Sequence, residues 1–535
     1  MKTSRKAKRA DRGAGGSDRL SELPDCLLHV ILSQLKARQV VQTCVLGRRW
    51  KHLWLTSPCL DVDISEFLPH AALHPTPRQL PHDAAVLAAP FYQVAPPYAP
   101  PPQPHQNIAQ EEEFDEFEDF VDCLLIHRSA GGTPPLDTLQ LRIPPWWLNV
   151  PWMLCGSSHT TKYTSWIRRG LRCCPSALDV SGFVKIPRLA SSSTRRLTKL
   201  RLDRVILHRD FAEHLRSGLP VLEDLEISGT ELSSLSRIES AMLKHIAVES
   251  SSSGSLGFTI AAPRLVSLHL AVQFLHLRFF GIDVQEAPRL VRASIRLVDK
   301  PEFRQRQGFY YVQEDRALLR SLCNLLGSLS HVGDLKLYGF HGMTVAQQHI
   351  PFIPPPAGGP GQGAYPRGGR AGARPLPMVR PPKKLHKYFY QPMITPQPAM
   401  PRLNRPMLAA ILDEGLPVFH GLTSLVLDEC ETGHELQTLW RLLHNAPVLE
   451  KLTLRNCQCQ MFPNVSSTEQ PRHTILETAS VSSSLKLVEI IYDDRDVDQG
   501  GGQYKARINK VSSSMIEWKL PATTIIRVTK LREHN

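Results

Sequence analysis

The sequence predicts an α/β chain in which a small three-helix module leads into a parallel β arc with helices or turns on its convex side, interrupted by disordered proline-rich segments. Three observations predict this class: a short apolar pattern that repeats along the chain, a dense apolar cluster ahead of it, and two stretches too rich in proline for helix or sheet.

The repeated pattern is L-x-x-L-x-L, with Ile, Val or Ala as substitutes. It occurs as "LDTLQL" from 136, "LTKLRL" from 197, "LEDLEI" from 222, "LKHIAV" from 243, "LVSLHL" from 265, "LVRASI" from 290, "VGDLKL" from 332, "LTSLVL" from 422 and "LEKLTL" from 449, with a poorer copy, "PSALDV", from 175. Several starts lie 21 to 27 residues apart, and Pro220, Pro263, Pro288 and Pro447 each stand two positions before a first Leu. The last two apolar positions of each copy alternate with variable ones, as a half-buried strand requires. One such strand cannot bury its face alone. Stacked copies form a parallel sheet with a continuous apolar interior, and the residues between them return as helix or turn, with "RDFAEHLRSG" and "ELQTLWRLLHNA" as candidate return helices.

The apolar cluster is "LPDCLLHVILSQLKARQVVQTCVLGRRWKHLW", residues 23 to 54. Pro24 suits a helix N1 position, and Leu27, Leu28, Ile31, Leu32 and Leu35 fall on one helical face. Val40, Val41, Cys44 and Val45 make a second stripe, and Trp50, Leu53 and Trp54 a third. Three helices this brief have little interior, so part of this surface is expected to meet another protein.

Boundaries follow from composition. Residues 1–17 are a basic tail, 18–63 the helical module and 64–110 a proline-rich linker. A helix with Phe114, Phe117, Phe120, Val121, Leu124 and Leu125 on one face opens the array, which runs over 111–349 and 407–460. Residues 350–406 form a Pro/Gly/Arg-rich insert, and 461–535 hold a degenerate repeat or another small domain.

The net charge of +13 sits in two low-complexity stretches: residues 1–19 carry +5 and 351–406 carry +9, leaving the rest at −1. A near-neutral folded part argues against nucleic acid as partner. No apolar run reaches the roughly 18 residues of a membrane span. Eleven scattered cysteines fit reduced thiols in nucleus or cytoplasm.

Residues 23–54 resemble the F-box of plant proteins, written L-P-D-x-L-L-x-x-I-L-S-x-L…R-R-W-K-x-L-W, with Gly47 where Ser is usual. The array resembles irregular leucine-rich repeats of the plant type, although the position often held by Asn or Cys is Cys430 and Cys457 in two copies and Val205, Thr230 and Gln273 elsewhere. The order of the two identifies the chain as a member of the plant F-box/LRR-repeat proteins, and "SSLKLVEIIYDD" from 483 resembles the opening strand of the FBD domain of many relatives. The resemblance implies a non-catalytic substrate receptor that docks a Skp-type adaptor, and through it a cullin and a RING subunit, for ubiquitination of a protein target. The docking residues it implies are Leu23, Pro24, Ile31, Leu32, Leu35, Val40, Val41, Val45, Trp50, Leu53 and Trp54. The alternative is a leucine-rich interaction scaffold without ubiquitination.

Target recognition is expected at outward strand positions: Lys199, Arg201, Asp224, Glu226, His245, His269, Arg292, Arg296, Lys336 and Tyr338, with Asp334, Asp428, Lys451 and Arg455 on the same alternation. Their mixed signs suit a folded protein surface, or a phosphorylated segment near Arg292 and Arg296. No P-loop, nucleophile elbow or zincin motif occurs, and "CQC" at 457–459 with His473 has no second cysteine pair, so neither enzyme activity nor a metal or other cofactor is expected.

Overall fold

Every copy of the repeated pattern becomes a strand, because its two alternating apolar residues have somewhere to go only when the next copy lies alongside. The computed structural model describes residues 23–67, 107–130, 132–143, 158–232, 235–250, 257–273, 281–298, 311–340, 342–345, 403–430, 432, 437–457, 484–492, 520–521 and 523–530. The chain divides into two compact units, Met1–Gly342 with Pro406–Asn535, and Met343–Arg405. The described parts of the second unit belong to a two-stranded sheet, Gly342–Val345 with Leu403–Pro406. The remaining residues of the basic tail, of the 64–110 linker and of the 350–406 insert lie outside the described residues.

In the first unit a sheet of thirteen described strands runs in chain order, each parallel to the next. It comprises Cys59–Asp63, Thr138–Arg142, Ala177–Ser181, Lys199–Asp203, Asp224–Thr230, His245–Ser250, Ser267–Gln273, Arg292–Val298, Asp334–Tyr338, Ser424–Asp428, Lys451–Arg455, Leu487–Tyr492 and Ile525–Lys530. Two of these strands, the first and the last, carry no copy of the pattern, and the last but one carries a copy that the sequence reading left out, "LKLVEI" from 485, with Leu485, Val488 and Ile490 buried. The register hardly slips across the sheet: Leu139, Leu178, Leu200, Leu225, Ile246, Leu268, Ala293, Leu335, Leu425, Leu452 and Val488 stand side by side in one row. A single irregularity lies at Ser228/Thr230. The first Leu of each copy is buried too, as at Leu136, Leu197, Leu222, Leu243, Leu265 and Leu449, so three apolar residues per repeat fill the interior. At roughly 1.5 to 3 kcal/mol for each fully buried side chain, this burial offsets much of the ordering cost only when neighbours are present.

A left-handed residue ends many of the strands at one place. Gly182, Arg204, Gly229, Gly339, Glu429 and Asn456 all have positive φ, and each stands two residues after the last inward side chain. Their N–H groups reach forward to the next repeat: Arg204 N donates to Ser228 O at 2.8 Å, Gly339 N to Asp428 O at 3.0 Å, and Asn456 N to Ile491 O at 3.0 Å. The following side chains close the loop. Cys430 Sγ donates to Leu337 O at 3.5 Å and Cys457 Sγ to Leu427 O at 3.3 Å, while Thr230 Oγ1 accepts from Val205 N at 3.2 Å. Burial pushes the Cys430 thiol up to about 12, so it stays a protonated donor. Thr and Cys thus serve the same ladder, which is why the position tolerates both.

The other side of the sheet is more varied than helix and turn alone. Helices Ser158–Arg172, Tyr311–Ser328, Met407–Glu414 and Gln437–His444 return the chain there, the last within the anticipated "ELQTLWRLLHNA". "RDFAEHLRSG" gives a single turn, Phe211–Glu213, that widens into a π-turn at His214–Gly218. Three returns instead contribute Arg237–Glu239, Phe258–Ala261 and Ile282–Gln285 to a second, parallel three-stranded sheet. β-branched and aromatic residues in "FTIA" and "IDVQ" favour that outcome.

Gly339 tests the strand-end turn. It has φ 77°, and a Cβ there would stand 2.6 Å from Leu297 O, whereas Gly132 has φ 103° and open space around it. Gly339→Ala is expected to cost about 1–3 kcal/mol, and more than Gly132→Ala, in urea unfolding of the full chain; equal costs would show that the contact with Leu297 is not limiting.

Candidate functional site

Two surfaces carry the residues singled out by the sequence. The first is the N-terminal module. Its helices are Asp25–Leu32 and Ala37–Gln42, followed by 3₁₀ turns at Thr43–Leu46 and Trp50–Thr56. Pro24 precedes the first helix in extended conformation rather than occupying its first turn, and its carbonyl accepts from Leu27 N at 3.0 Å. Gly47 has φ 171°, extended backbone that any residue adopts, so it imposes no special turn before Trp50.

The apolar residues of this module separate into two sets, which corrects the single face expected for the first helix. Leu28, Leu32, Val40, Trp50 and Leu53 form the core, with Leu23, Leu35 and Trp54 packed against it and partly buried. Leu32, Val40, Trp50 and Leu53 therefore cannot offer surface to a partner without unfolding; their places in the expected docking set are structural. A Trp50→Ala change would measure core packing, with a cost of about 3–5 kcal/mol. The other members stand outside the core or at its edge: Pro24, Ile31 and Val45 are exposed, Leu23, Leu35, Val41 and Trp54 half-buried. The structure adds three residues that the sequence reasoning left out of the docking set: Leu27, Val30 and Leu46 are exposed, and Val45 beside Leu46 is 87% exposed. The signal was available, since helical spacing puts Leu27 and Ile31 together and Val30 beside them.

This module is not set apart from the sheet by its linker. Cys59–Asp63, at the module's end, pairs directly with Thr138–Arg142, and the helix Asn107–Ser129 packs across the junction. Phe117 and Phe120 of that helix meet Phe67 at ring distances of 5.3 and 5.4 Å. Its buried Arg128 donates from Nη2 to Ser57 O at 2.7 Å. Glu66 accepts from Arg38 N at 3.1 Å and Gln39 N at 3.3 Å, capping the second helix from 27 or more residues away in sequence. Asp63 joins the parts electrostatically, at 2.7 Å from Lys36 Nζ and 2.9 Å from Arg142 Nη1.

The second surface is the outward face of the sheet, where every predicted recognition residue lies in register. Lys199, Asp224, His245, Arg292, Asp334 and Lys451 share one row, Arg201, Glu226, His269 and Lys336 the next, and Arg296, Tyr338, Asp428 and Arg455 a third. Opposite charges meet across the strand gaps: Lys199 and Asp224 at 3.3 Å, Arg201 and Glu226 at 3.4 Å, Lys336 and Asp428 at 3.3 Å, Lys451 and Glu489 at 2.8 Å. His245 is 3.9 Å from Asp224. Burial holds the His269 imidazole below its ordinary value, with Glu249 opposing and Arg296 and Lys336 adding to the shift. Cys457 of the "CQC" motif is occupied in the ladder, while Cys459 and His473 lie outside the described residues.

Comparison with known proteins bears on both surfaces. Over 494 residues, 88% of this chain and 80% of the relative, the sequence is 28% identical to the MEIOTIC F-BOX protein MOF of Oryza sativa subsp. japonica. It is 54% identical over 52 residues, 10% of the chain and 12% of the relative, to an F-box/FBD/LRR-repeat protein of Arabidopsis thaliana. An FBD-associated F-box protein of the same plant is 25% identical over 283 residues, 47% of the chain and 52% of the relative. No family model matches. These relatives are named as plant F-box and F-box/FBD/LRR-repeat proteins, and the similarity to them supports that family for this chain. The C-terminal stretch that resembles the FBD opening, Leu487–Tyr492, extends the sheet beside Lys451–Arg455.

The Asp63 junction gives a pH prediction. Burial alone would raise its carboxyl, but hydrogen bonds from Lys36 and Ser65 outweigh burial and hold it below the ordinary 3.8. Its contribution to stability is therefore complete above that ordinary value and fades as pH falls through the lower folded value. Asp63→Asn is expected to destabilise the full chain at pH 7 and to converge with wild type as the pH drops below 3.8, in thermal melts across pH 3–7; a constant gap would remove Asp63 from the linkage.

Proposed function

We propose that this F-box/LRR-repeat protein is the substrate-recognition subunit of a Skp/cullin/F-box ubiquitin ligase. The carrying observation is the exposed apolar set Leu27, Val30, Ile31, Val45 and Leu46, which lies outside a core already filled by Leu28, Leu32, Val40, Trp50 and Leu53. Apolar side chains left out of a filled core lose nothing by being covered and gain roughly 25 cal/mol per Å² when they are. A Skp-type adaptor covers them in this reading, and brings with it the cullin and the RING subunit.

The module over 18–63 is then a three-helix F-box, and 111–349 with 407–460 a leucine-rich-repeat solenoid whose outward rows hold the target protein. The chain performs no chemistry of its own. It acts by proximity, holding a target lysine near the loaded conjugating enzyme. The direct strand pairing between Cys59–Asp63 and Thr138–Arg142 supports this, since it fixes the docking set relative to the recognition rows. Nucleus and cytoplasm are the compartments in which such an assembly meets its targets, and a fluorescent fusion of the full chain tests that placement.

Co-purification of the full chain with a plant Skp-type adaptor tests the reading. Val45→Glu with Leu46→Glu should abolish adaptor capture, a loss of at least about a hundredfold for two charges placed in an apolar interface, while the melting temperature stays unchanged because both side chains are solvent-exposed. Adaptor capture unaffected by these changes would sink the docking surface. Capture of adaptor without cullin would favour the leucine-rich scaffold without ubiquitination.

A further inference from the structure

The cations on the outward face are not all alike. Lys199, Arg201, Lys336, Lys451, Arg455 and Arg527 each have a carboxylate within 3.7 Å across a strand gap. Arg292 and Arg296 differ: both are exposed, and neither has a carboxylate partner among the described residues. Asp334 stands opposite Arg292 in the ladder, yet no ion pair joins them. The Arg296 guanidinium lies over the Tyr338 ring at 4.3 Å from its centroid, a stacking that holds its plane.

Their placement gives these two arginines a common focus. They flank Ser294 on one strand, two residues to either side, so all three side chains leave the same face, with the arginine Cα atoms about 13 Å apart. Ser294 is itself register-paired with His269 on one neighbouring strand and Lys336 on the other, about 4.8 Å away. Four nitrogen-bearing side chains thus surround one small hydroxyl. Their mutual influence shows at His269, on which Arg296 and Lys336 both act against protonation. Lys336 is only partly neutralised, because its partner Asp428 is shared with Arg455 at 3.7 Å.

We infer that the Arg292, Arg296, His269 and Lys336 ring around Ser294 binds the phosphate of a phosphorylated segment of the target protein. This deepens the reading of the outward face as the target-holding surface and rests on it. A phosphate brings a charge of about −1.5 to −2 and three acceptor oxygens, which match two planar guanidinium forks and two further donors better than a single carboxylate does. The paired cations elsewhere on the face are already committed to their carboxylates, and displacing those would cost what the new contact supplies.

Fluorescence polarisation of the full chain with two labelled random-peptide pools tests this, one with a fixed phosphoserine and one with serine at that place. The phosphoserine pool should bind at least about tenfold more tightly, and Arg292→Ala with Arg296→Ala should remove that preference. Arg292→Lys with Arg296→Lys, which keeps the charge and loses the forks, should lower it, and Lys451→Ala with Arg527→Ala should leave it intact. Equal binding of the two pools, or a preference that survives the double alanine variant, overturns the proposal. Complete displacement by an equal concentration of inorganic phosphate also overturns it, since the site would then take a bare anion. Adaptor capture is scored on the same preparations: phosphopeptide preference without adaptor capture removes the ubiquitin reading and leaves this one standing, and the reverse removes this one alone.

Discussion

A strand in a parallel sheet has donors and acceptors on both edges, so no repeat of this protein can satisfy its backbone without the two beside it. That ladder sets the rest. Because the pairing register holds across the sheet, the apolar residues at the second and fourth strand positions fall into two continuous buried rows, from Leu60 and Val62 to Val488 and Ile490. A slip of one residue anywhere would carry a strand's leucines to the outward face. The turn residues with positive φ and the Thr230, Cys430 and Cys457 side chains hold this register at the strand ends, where the hydrogen bonds of the sheet stop.

The same ladder couples the two candidate surfaces. Cys59–Asp63 belongs to the N-terminal module by chain position and to the sheet by hydrogen bonding. The Lys36–Asp63–Arg142 cluster, the Glu66 cap and the Arg128–Ser57 bond then fix helices that would otherwise hang from a single strand. In the proposed ligase a fixed junction determines where a bound target sits relative to the adaptor, and a flexible tether would dilute the effective concentration that proximity supplies.

On the outward face most charges neutralise one another across strand gaps, as Lys199 with Asp224 and Arg201 with Glu226 do. Exposed pairs of this kind contribute little to stability, about 0–1 kcal/mol each, but they reduce the number of charges free to meet a ligand. Mixed composition along the strands therefore does not mean a featureless surface. What distinguishes Arg292 and Arg296 is the absence of such partners among the described residues together with the positions of His269 and Lys336 in the adjoining strands.

The sequence by itself determined the repeat, its strands and the alternation that sends Lys199 or Arg296 outward, because period-two burial is written in adjacent residues and needs no knowledge of partners. It also located the apolar N-terminal cluster. Tertiary structure alone decided which leucines of that cluster are core: Leu28 and Ile31 are equally apolar and one turn apart, and only the packing of Trp50 and Leu53 against one side buries Leu28 and leaves Ile31 at the surface. It decided as well that the module ends in a strand of the sheet, since Cys59–Asp63 lacks the full repeat and its partner Thr138–Arg142 is about eighty residues away in sequence. Cross-strand neighbours follow from the register of whole repeats, so the pairing that spends Lys199 on Asp224 and leaves Arg292 without a carboxylate among the described residues is a property of the assembled ladder, not of any one segment.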